Sequence, residues 1–135
     1  MSRLSSITRG IPSGSRMTRR YFSSSRVARD HILNTDAAGF RARALDETQS
    51  KPVLVDFFAT WCQPCRMLTP TLKNLTGPES QYDLITIDVD EHPEVAGQYK
   101  VSALPTVVAF KNGKPVNKFV GMLREEQVKT FLGKL

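Results

Sequence analysis

The sequence has 135 residues, which is enough for one compact domain with a hydrophobic core and too short for two domains of ordinary size. Hydrophobic residues make up 40% and charged residues 24%, as in ordinary globular proteins, and no apolar run approaches the roughly 18 residues of a membrane span. The net charge of +6 would suggest a nucleic-acid or anionic-membrane partner only if the basic residues were spread over the folded domain.

The basic residues are instead concentrated in residues 1–29, here called the leader. The leader contains seven arginines and no carboxylate, so the remaining 12 basic residues face all 13 acidic ones and the rest of the chain has a net charge of −1. It is also rich in serine and lacks the apolar stretch of a secretory signal, a composition typical of a mitochondrial transit peptide. We therefore predict a transit peptide over 1–29, a folded domain over 30–135, a location in the mitochondrial matrix and no nucleic-acid or membrane partner. The alternative is a basic arm that binds RNA or lipid.

The remaining residues alternate strand-like and helix-like patterns, which predicts the order βαβαβ followed by ββα. A short apolar piece at residues 31–33 is the first predicted strand. Residues 34–36 then offer an N-cap to a helix whose apolar side consists of Ala37, Phe40 and Ala44. Residues 53–59 are almost continuously apolar and β-branched or aromatic, which predicts a central strand covered on both faces.

The segment after the central strand is predicted to be a helix that ends near Gly77, because leucines recur at i, i+4 and i+7, namely Leu68, Leu72 and Leu75. Pro70 removes one hydrogen bond of this helix and is expected to kink it without ending it. Residues 84–89 alternate in polarity as a strand, which the helix joins to the central strand as a βαβ crossover. Pro93 then opens a third helix that buries Val95, Ala96 and Tyr99.

Residues 106–110 and 116–120 flank Asn112-Gly113, a strong hairpin signal because both turn residues need a positive φ. The last two strands are therefore predicted to be antiparallel. The chain closes with an amphipathic helix whose apolar residues are Val128, Phe131, Leu132 and Leu135. The predicted fold class is α/β, with a central mixed β-sheet flanked by helices on both faces.

The only two cysteines, Cys62 and Cys65, lie where the central strand gives way to a helix. No metal is expected, because a structural zinc site needs four ligands and the two histidines are in unrelated segments. A purely structural disulfide is disfavoured, because the loop is short and the inferred compartment is reducing. Redox chemistry remains. The helix N-terminus is expected to lower the pKa of Cys62 and to favour its thiolate. Cys65 lies one helical turn further on and is expected to be less open to solvent, where it can resolve a mixed disulfide.

A larger set of residues surrounds the cysteines in a fixed order, namely Val53, Asp56-Phe57, Ala59, Trp61-Cys62, Pro64-Cys65, Pro70, Asp88-Val89-Asp90, Leu104-Pro105-Thr106, Phe110-Lys111-Asn112-Gly113 and Gly121. In order and spacing this set resembles the thioredoxin family over roughly residues 31–135. Together with the leader, the chain is similar to the eukaryotic mitochondrial members. The resemblance implies the thioredoxin fold.

The resemblance also implies catalytic roles. Cys62 corresponds to the nucleophile and Cys65 to the buried resolving cysteine, and the two form a redox-active disulfide. Asp56 corresponds to a buried carboxylate that acts through water as proton acceptor and donor for Cys65. Burial disfavours the ionised carboxylate, so the pKa of Asp56 is expected to be raised. The alternative for Asp56 is an edge or surface position.

Target recognition is implied at a docking surface, here called the rim, whose eight substrate-binding residues are Trp61, Gln63, Pro64, Leu104, Pro105, Thr106, Gly121 and Met122. Pro105 matches a cis-proline beside the active site, where the backbone of Leu104 would pair with an extended target peptide. The alternative for Trp61 is a place in the core. Gln63 stands where the family usually has glycine, which would alter docking and tune the reduction potential.

These features predict a protein-disulfide reductase, a dithiol–disulfide oxidoreductase and electron carrier of mitochondrial redox homeostasis. By resemblance, NADPH supplies its electrons through thioredoxin reductase, and its targets include peroxiredoxins and methionine sulfoxide reductases. The chain is expected to be a monomer and to bind no cofactor itself, since it lacks a Gly-rich dinucleotide loop. The alternatives are an oxidase or isomerase, disfavoured because Gln63-Pro64 provides no histidine beside the thiolate, and a binding module without catalysis.

Overall fold

A computed structural model of the protein describes residue 31 and residues 33–135. This part of the chain contains α1 (Ala37–Ala44), β1 (Val53–Phe58), α2 (Gln63–Leu75), β2 (Asp83–Asp88), α3 (Pro93–Gln98), β3 (Thr106–Lys111), β4 (Lys114–Val120) and α4 (Glu125–Leu132). The strands form one sheet in the order β2-β1-β3-β4. β1 is parallel to β2 and antiparallel to β3, and β4 is antiparallel to β3. The predicted mixed sheet with β1 at its centre is confirmed.

The two faces of the sheet carry separate hydrophobic clusters, because successive side chains of a strand point to opposite faces. One face is covered by α1 and α3, which bury Phe40, Ala44, Val95 and Ala96 against it. The other is covered by α2 and α4, which bury Leu68, Leu72, Val128, Phe131 and Leu132. Helices therefore flank both faces, as predicted.

The connection from β1 to α2 places the cysteines at one edge of the sheet. β1 ends at Phe58 and α2 begins at Gln63, so Cys62 becomes the N-cap residue of α2. α2 continues through Pro70 to Leu75, which confirms that this proline does not end the helix. Asp56 shares the α2 and α4 face with Leu54, since the two residues are two positions apart on β1.

The β3–β4 hairpin turns at the predicted position. Asn112 has φ +52° and Gly113 has φ +80°, the left-handed conformations that an Asn-Gly turn requires. β4 begins at Lys114, two residues before the predicted start at Val116, because pairing continues directly from the turn. The hairpin returns the chain to Pro105, whose carbonyl oxygen accepts a hydrogen bond from Gly121 N at 2.8 Å.

The predicted first strand at residues 31–33 is not observed at the residues that the structure describes. Leu33 and Asn34 lie in a turn, with Asn34 at φ +56°, which interrupts an extended chain; Ile32 lies outside the described residues. The following helix is capped by Asp36, whose Oδ1 accepts a hydrogen bond from Gly39 N at 2.7 Å. The predicted N-cap within residues 34–36 is therefore confirmed.

The bounds of α3 and α4 differ slightly from the predicted ones. α3 ends at Gln98, and Tyr99 caps it with a partly buried ring that packs edge-on against Phe40 and Phe110. α4 ends at Leu132, so the partly buried Leu135 contributes to the core from beyond the helix. Within residues 31 and 33–135, none of the helices has the length and hydropathy of a membrane span.

Candidate active site

Cys62 and Cys65 form a disulfide at the start of α2. Cys62 has an extended backbone at the N-cap, and its sulfur accepts a hydrogen bond from the backbone N–H of Cys65 at 3.3 Å. Pro64 occupies the first turn, where its missing N–H has no intrahelical partner, as the sequence predicts. The free N–H groups and positive end of the helix dipole therefore face the Cys62 sulfur, a setting that stabilises a thiolate over a thiol.

The two cysteine residues differ little in exposure in the disulfide form. Cys62 is 4% exposed and Cys65 is 2% exposed, so the open Cys62 expected from the sequence is not observed. Both residues pack with Ala59 against the partly buried Leu104, which explains how a turn residue becomes covered. The distinction between the two cysteines lies in their backbone positions, at the N-cap and inside the helix.

Asp56 is completely buried on the central strand, so the alternative edge or surface position is wrong. Desolvation raises the pKa of Asp56 to about 7, and a hydrogen bond from Thr69 partly opposes this effect. Thr69 Oγ1 lies 3.0 Å from Asp56 Oδ2. At neutral pH the carboxyl group can therefore take up or release a proton, which is the property of a general base.

Thr69 is a site residue that the sequence analysis missed. Its hydroxyl lies 2.9 Å from the backbone carbonyl oxygen of Cys65 as well as close to Asp56. The available signal was its position four residues after Cys65, which places the two residues on the same side of α2.

Trp61 is 69% exposed, so the alternative of a core position is wrong. Its indole Nε1 donates a hydrogen bond to Asp90 Oδ2 at 2.9 Å. Asp90 follows β2, whose end lies beside the end of β1, and it was not predicted to contact the site. Because the carboxyl ends of neighbouring parallel strands share one edge of a sheet, this proximity was accessible from the predicted topology.

The other rim residues range from exposed to buried. Exposed side chains belong to Gln63, Pro64 and Met122; Leu104 and Gly121 are partly buried, and Pro105 and Thr106 are buried. The Leu104–Pro105 peptide bond is cis, as the resemblance implied. Thr106 directs its hydroxyl to the Ala103 carbonyl oxygen at 2.6 Å, so its side chain is engaged within the protein.

A family model described as Thioredoxin matches residues 31–134. The chain belongs to the thioredoxin family. It is similar to mitochondrial thioredoxin of Rattus norvegicus, with 39% identity over 127 residues that make up 93% of this chain and 73% of the relative. The resemblance inferred from the motifs is thus confirmed.

Solved structures agree with the fold. Thioredoxin NaTrxh from Nicotiana alata has a TM-score of 0.70 and 30% identity, over 79% of this chain and 93% of that one. A chain solved to explain the thiol resolving mechanism in yeast mitochondrial 1-Cys peroxiredoxin via glutathione/thioredoxin systems has a TM-score of 0.66 and 28% identity, over 80% and 99%.

The thioredoxin family and the Cys62–Cys65 pair together define the chemistry of this chain as thioredoxin-type dithiol–disulfide reduction. Thioredoxins require no bound cofactor for it. In the part of the chain that the structure describes, no group of three or more histidine, cysteine, aspartate or glutamate residues is arranged to hold a metal ion.

Proposed function

We propose that this protein-disulfide reductase uses Cys62 as the nucleophile and Cys65 as the resolving cysteine. The Cys62 thiolate attacks a target disulfide, forms a mixed disulfide and releases one target thiolate. Cys65 then attacks the Cys62 sulfur, which releases the reduced target and leaves the Cys62–Cys65 disulfide. The observation that carries this assignment is the position of the Cys62 sulfur at the N-terminus of α2, where it accepts the Cys65 N–H.

Asp56 is the proposed proton acceptor for Cys65 during resolution, acting through water. The thiol of Cys65 must lose its proton to become a nucleophile, and the Asp56 carboxylate takes it up. Support comes from the complete burial of Asp56 and from a pKa raised to about 7 by desolvation. In the next cycle, reduction of the disulfide returns the proton.

The rim is the proposed docking surface for targets. Its exposed residues Trp61, Pro64 and Met122 provide apolar contact beside the disulfide, and the exposed Gln63 side chain adds a polar one. The backbone next to the cis-Pro105 is proposed to pair with an extended target segment, as a strand is added to a sheet. The proposed pairing segment consists of Leu104, Pro105 and Thr106. It is held in place by the hydrogen bond that Gly121 N donates to Pro105 O.

The proposed electron source is NADPH through thioredoxin reductase, with peroxiredoxins and methionine sulfoxide reductases among the targets. The yeast neighbour, solved in the context of peroxiredoxin thiol resolution, supports the peroxiredoxin assignment. We further propose that the protein acts as a monomer and carries no cofactor of its own.

Residues 1–29 are proposed to be a mitochondrial transit peptide, residues 30–135 the thioredoxin domain, and the matrix its location. The proposal is supported by the arginine-rich, acid-free leader and by similarity to a mitochondrial thioredoxin. Imported into isolated energised mitochondria, the precursor should become shorter by about 2–3 kDa and resistant to added protease. A product of unchanged size that remains protease-sensitive would contradict this location.

Insulin reduction coupled to NADPH and thioredoxin reductase tests the function. The wild-type protein should turn over, whereas Cys62→Ser should show no activity above background. Cys65→Ser should not turn over either, but should accumulate a mixed disulfide with a target, whose mass identifies the linked peptide. Turnover by Cys62→Ser would overturn the assignment of the nucleophile, and a wild-type protein without turnover would overturn the reductase function.

A further inference from the structure

The hydroxyl group of Thr69 has two acceptors and one proton. Oγ1 lies 3.0 Å from Asp56 Oδ2 and 2.9 Å from the carbonyl oxygen of Cys65. A carbonyl oxygen only accepts hydrogen bonds, and an ionised carboxylate does likewise. While Asp56 is ionised, the two acceptors therefore compete for the same hydroxyl proton.

Protonation of Asp56 removes this competition. The neutral carboxyl group can donate to Thr69 Oγ1, and Thr69 can then donate to the Cys65 carbonyl oxygen, so every proton in the chain of hydrogen bonds has an acceptor. With Asp56 ionised, the hydroxyl instead forms the stronger, charge-assisted bond to the carboxylate. The acceptor of the Thr69 hydroxyl proton thus depends on the protonation state of Asp56. It is the Asp56 carboxylate when Asp56 is ionised and the Cys65 carbonyl oxygen when Asp56 is neutral.

Thr69 also connects Asp56 to solvent. Asp56 is completely buried, and among the residues that the structure describes its Oδ1 atom has no hydrogen-bond partner. Thr69 is only partly buried and lines an open groove of about 350 Å³, together with Cys65, Arg66 and Lys73. None of the residues that line this groove belongs to the rim.

Among the residues that the structure describes, Thr69 donates a side-chain hydrogen bond to Asp56, and the neighbouring elements bring no charged group to it. On the neighbouring strands, Asp56 lies beside Thr86 of β2 and Val107 of β3, neither of which is charged. α4 covers the same face with its apolar residues Val128, Phe131 and Leu132. On α2, the titratable or charged side chains in the groove are Cys65, Arg66 and Lys73, and a substitution of Thr69 leaves all three in place.

We propose that Thr69 is a positioning residue for the resolution step, whose hydroxyl holds the Asp56 carboxylate ready to accept the Cys65 proton and links it to the groove. The proposal rests on the role of Asp56 given under Proposed function. In this step the S–H bond of Cys65 breaks and, through water, an O–H bond forms on Asp56. The Cys62–Cys65 S–S bond forms as the bond between Cys62 and the target sulfur breaks, and the target leaves as a thiolate. The Thr69 hydroxyl then turns from Asp56 to the Cys65 carbonyl oxygen.

The test compares Thr69→Val, which removes the hydroxyl at nearly constant size, with Thr69→Ser, which keeps it. Thr69→Ala is a second variant without the hydroxyl, in case valine perturbs packing. The titration of Asp56 is followed by carbon NMR of the labelled full-length oxidised protein. The resolution rate with a model peptide disulfide is followed between about pH 5.5 and about pH 9.5, in steps of roughly one pH unit. The signal is the fluorescence of Trp61, the only tryptophan.

Loss of the hydroxyl should raise the pKa of Asp56 by about one unit, because the donor that favours the ionised form is missing. The acid limb of the rate profile should shift to higher pH by the same amount. The rate at pH 7 should therefore fall about fivefold, and the rate at high pH should be unchanged. Thr69→Ser should match the wild type in both measurements.

Two results separate the possible failures. If Asp56 titrates alike in the wild type, Thr69→Val and Thr69→Ala, the proposed role of Thr69 is overturned. If the Asp56 titration shifts while the acid limb stays in place, the link between Thr69 and Asp56 holds, and the proton-acceptor role proposed for Asp56 is the part that fails.

Discussion

The sulfur of Cys62 accepts a hydrogen bond from the backbone N–H of Cys65, 3.3 Å away, in the first turn of α2. The two cysteines occupy different positions, because Cys62 is the N-cap of the helix and Cys65 lies inside it. Negative charge on the capping sulfur is stabilised by the N–H groups and the helix dipole, whereas charge on Cys65 has less of this support. The proposed order of attack and resolution rests on this difference.

We predict that Asp56 makes the stability of the protein depend on pH. Its pKa is raised from 3.8 to about 7, so the native state holds the proton more tightly than the unfolded chain. The stabilisation is complete below pH 3.8 and is lost as the pH rises through about 7. Asp56→Asn removes this loss, so the variant should gain about 4 kcal/mol relative to the wild type between pH 4 and pH 8.

Urea unfolding of both oxidised proteins at the two pH values measures this change. The change between pH values cancels any constant effect of burying the asparagine amide, and all other carboxylates are shared by the two proteins. Parallel stability profiles for Asp56→Asn and the wild type would show that the Asp56 carboxyl group is not desolvated in the native state.

The hydrogen bond from Trp61 to Asp90 is expected to fix the indole ring on the rim. Asp90→Ala should free the ring, which would lower the fluorescence anisotropy of Trp61 and raise the KM for insulin about two- to fivefold with little change in kcat. Asp90→Asn keeps a carbonyl acceptor and should remain close to the wild type. Unchanged anisotropy and KM in Asp90→Ala would show that the ring is held by other contacts.

The buried carboxylate of Asp83 is expected to stabilise the fold without affecting activity. It lies 3.1 Å from Lys51 Nζ and 3.4 Å from Arg43 Nη2, at the end of the sheet opposite the cysteines. Asp83→Ala should lower the free energy of unfolding in urea by about 2–3 kcal/mol, because the buried hydrogen bonds and ion pairs of the carboxylate are lost. The loss is not larger, because the partly exposed cations can still be solvated.

Arg43→Met, which removes the ion pair between Arg43 and Asp83, should cost about 1 kcal/mol or less. Insulin reduction at about 25 °C should be the same for both variants and the wild type, because both remain folded at this temperature. A stability loss in Asp83→Ala no larger than that of Arg43→Met would indicate that the network contributes little.

Local patterns predicted the elements that build the site. The apolar run of β1, the leucine spacing of α2 and the Asn112-Gly113 turn are each decided by residues close together in sequence, and all three are observed. The three residues at 31–33 were too few to specify a strand, and the left-handed Asn34 turns the chain there. The cis bond at Pro105 followed from family resemblance and not from local pattern.

Contacts between distant segments could not be obtained in the same way. The bond between Thr69 and Asp56 joins a helix to a strand 13 residues earlier, and that between Trp61 and Asp90 spans 29 residues. The burial of Cys62 depends on Leu104 from a third segment. The predicted topology brings the ends of β1 and β2 together, but it does not fix which side chains of different elements meet, and that requires the packed fold.

The rate at which each cysteine of the reduced protein is alkylated tests the central claim most directly. Iodoacetamide labelling at pH 7, quantified for each cysteine by mass spectrometry, should modify Cys62 about tenfold faster than a cysteine in an unstructured peptide, because the helix N-terminus stabilises its thiolate. Cys65 should react more slowly than Cys62, and Cys65→Ser should retain the fast reaction of Cys62. Labelling of Cys62 at the rate of the peptide cysteine, or faster labelling of Cys65, would contradict the account.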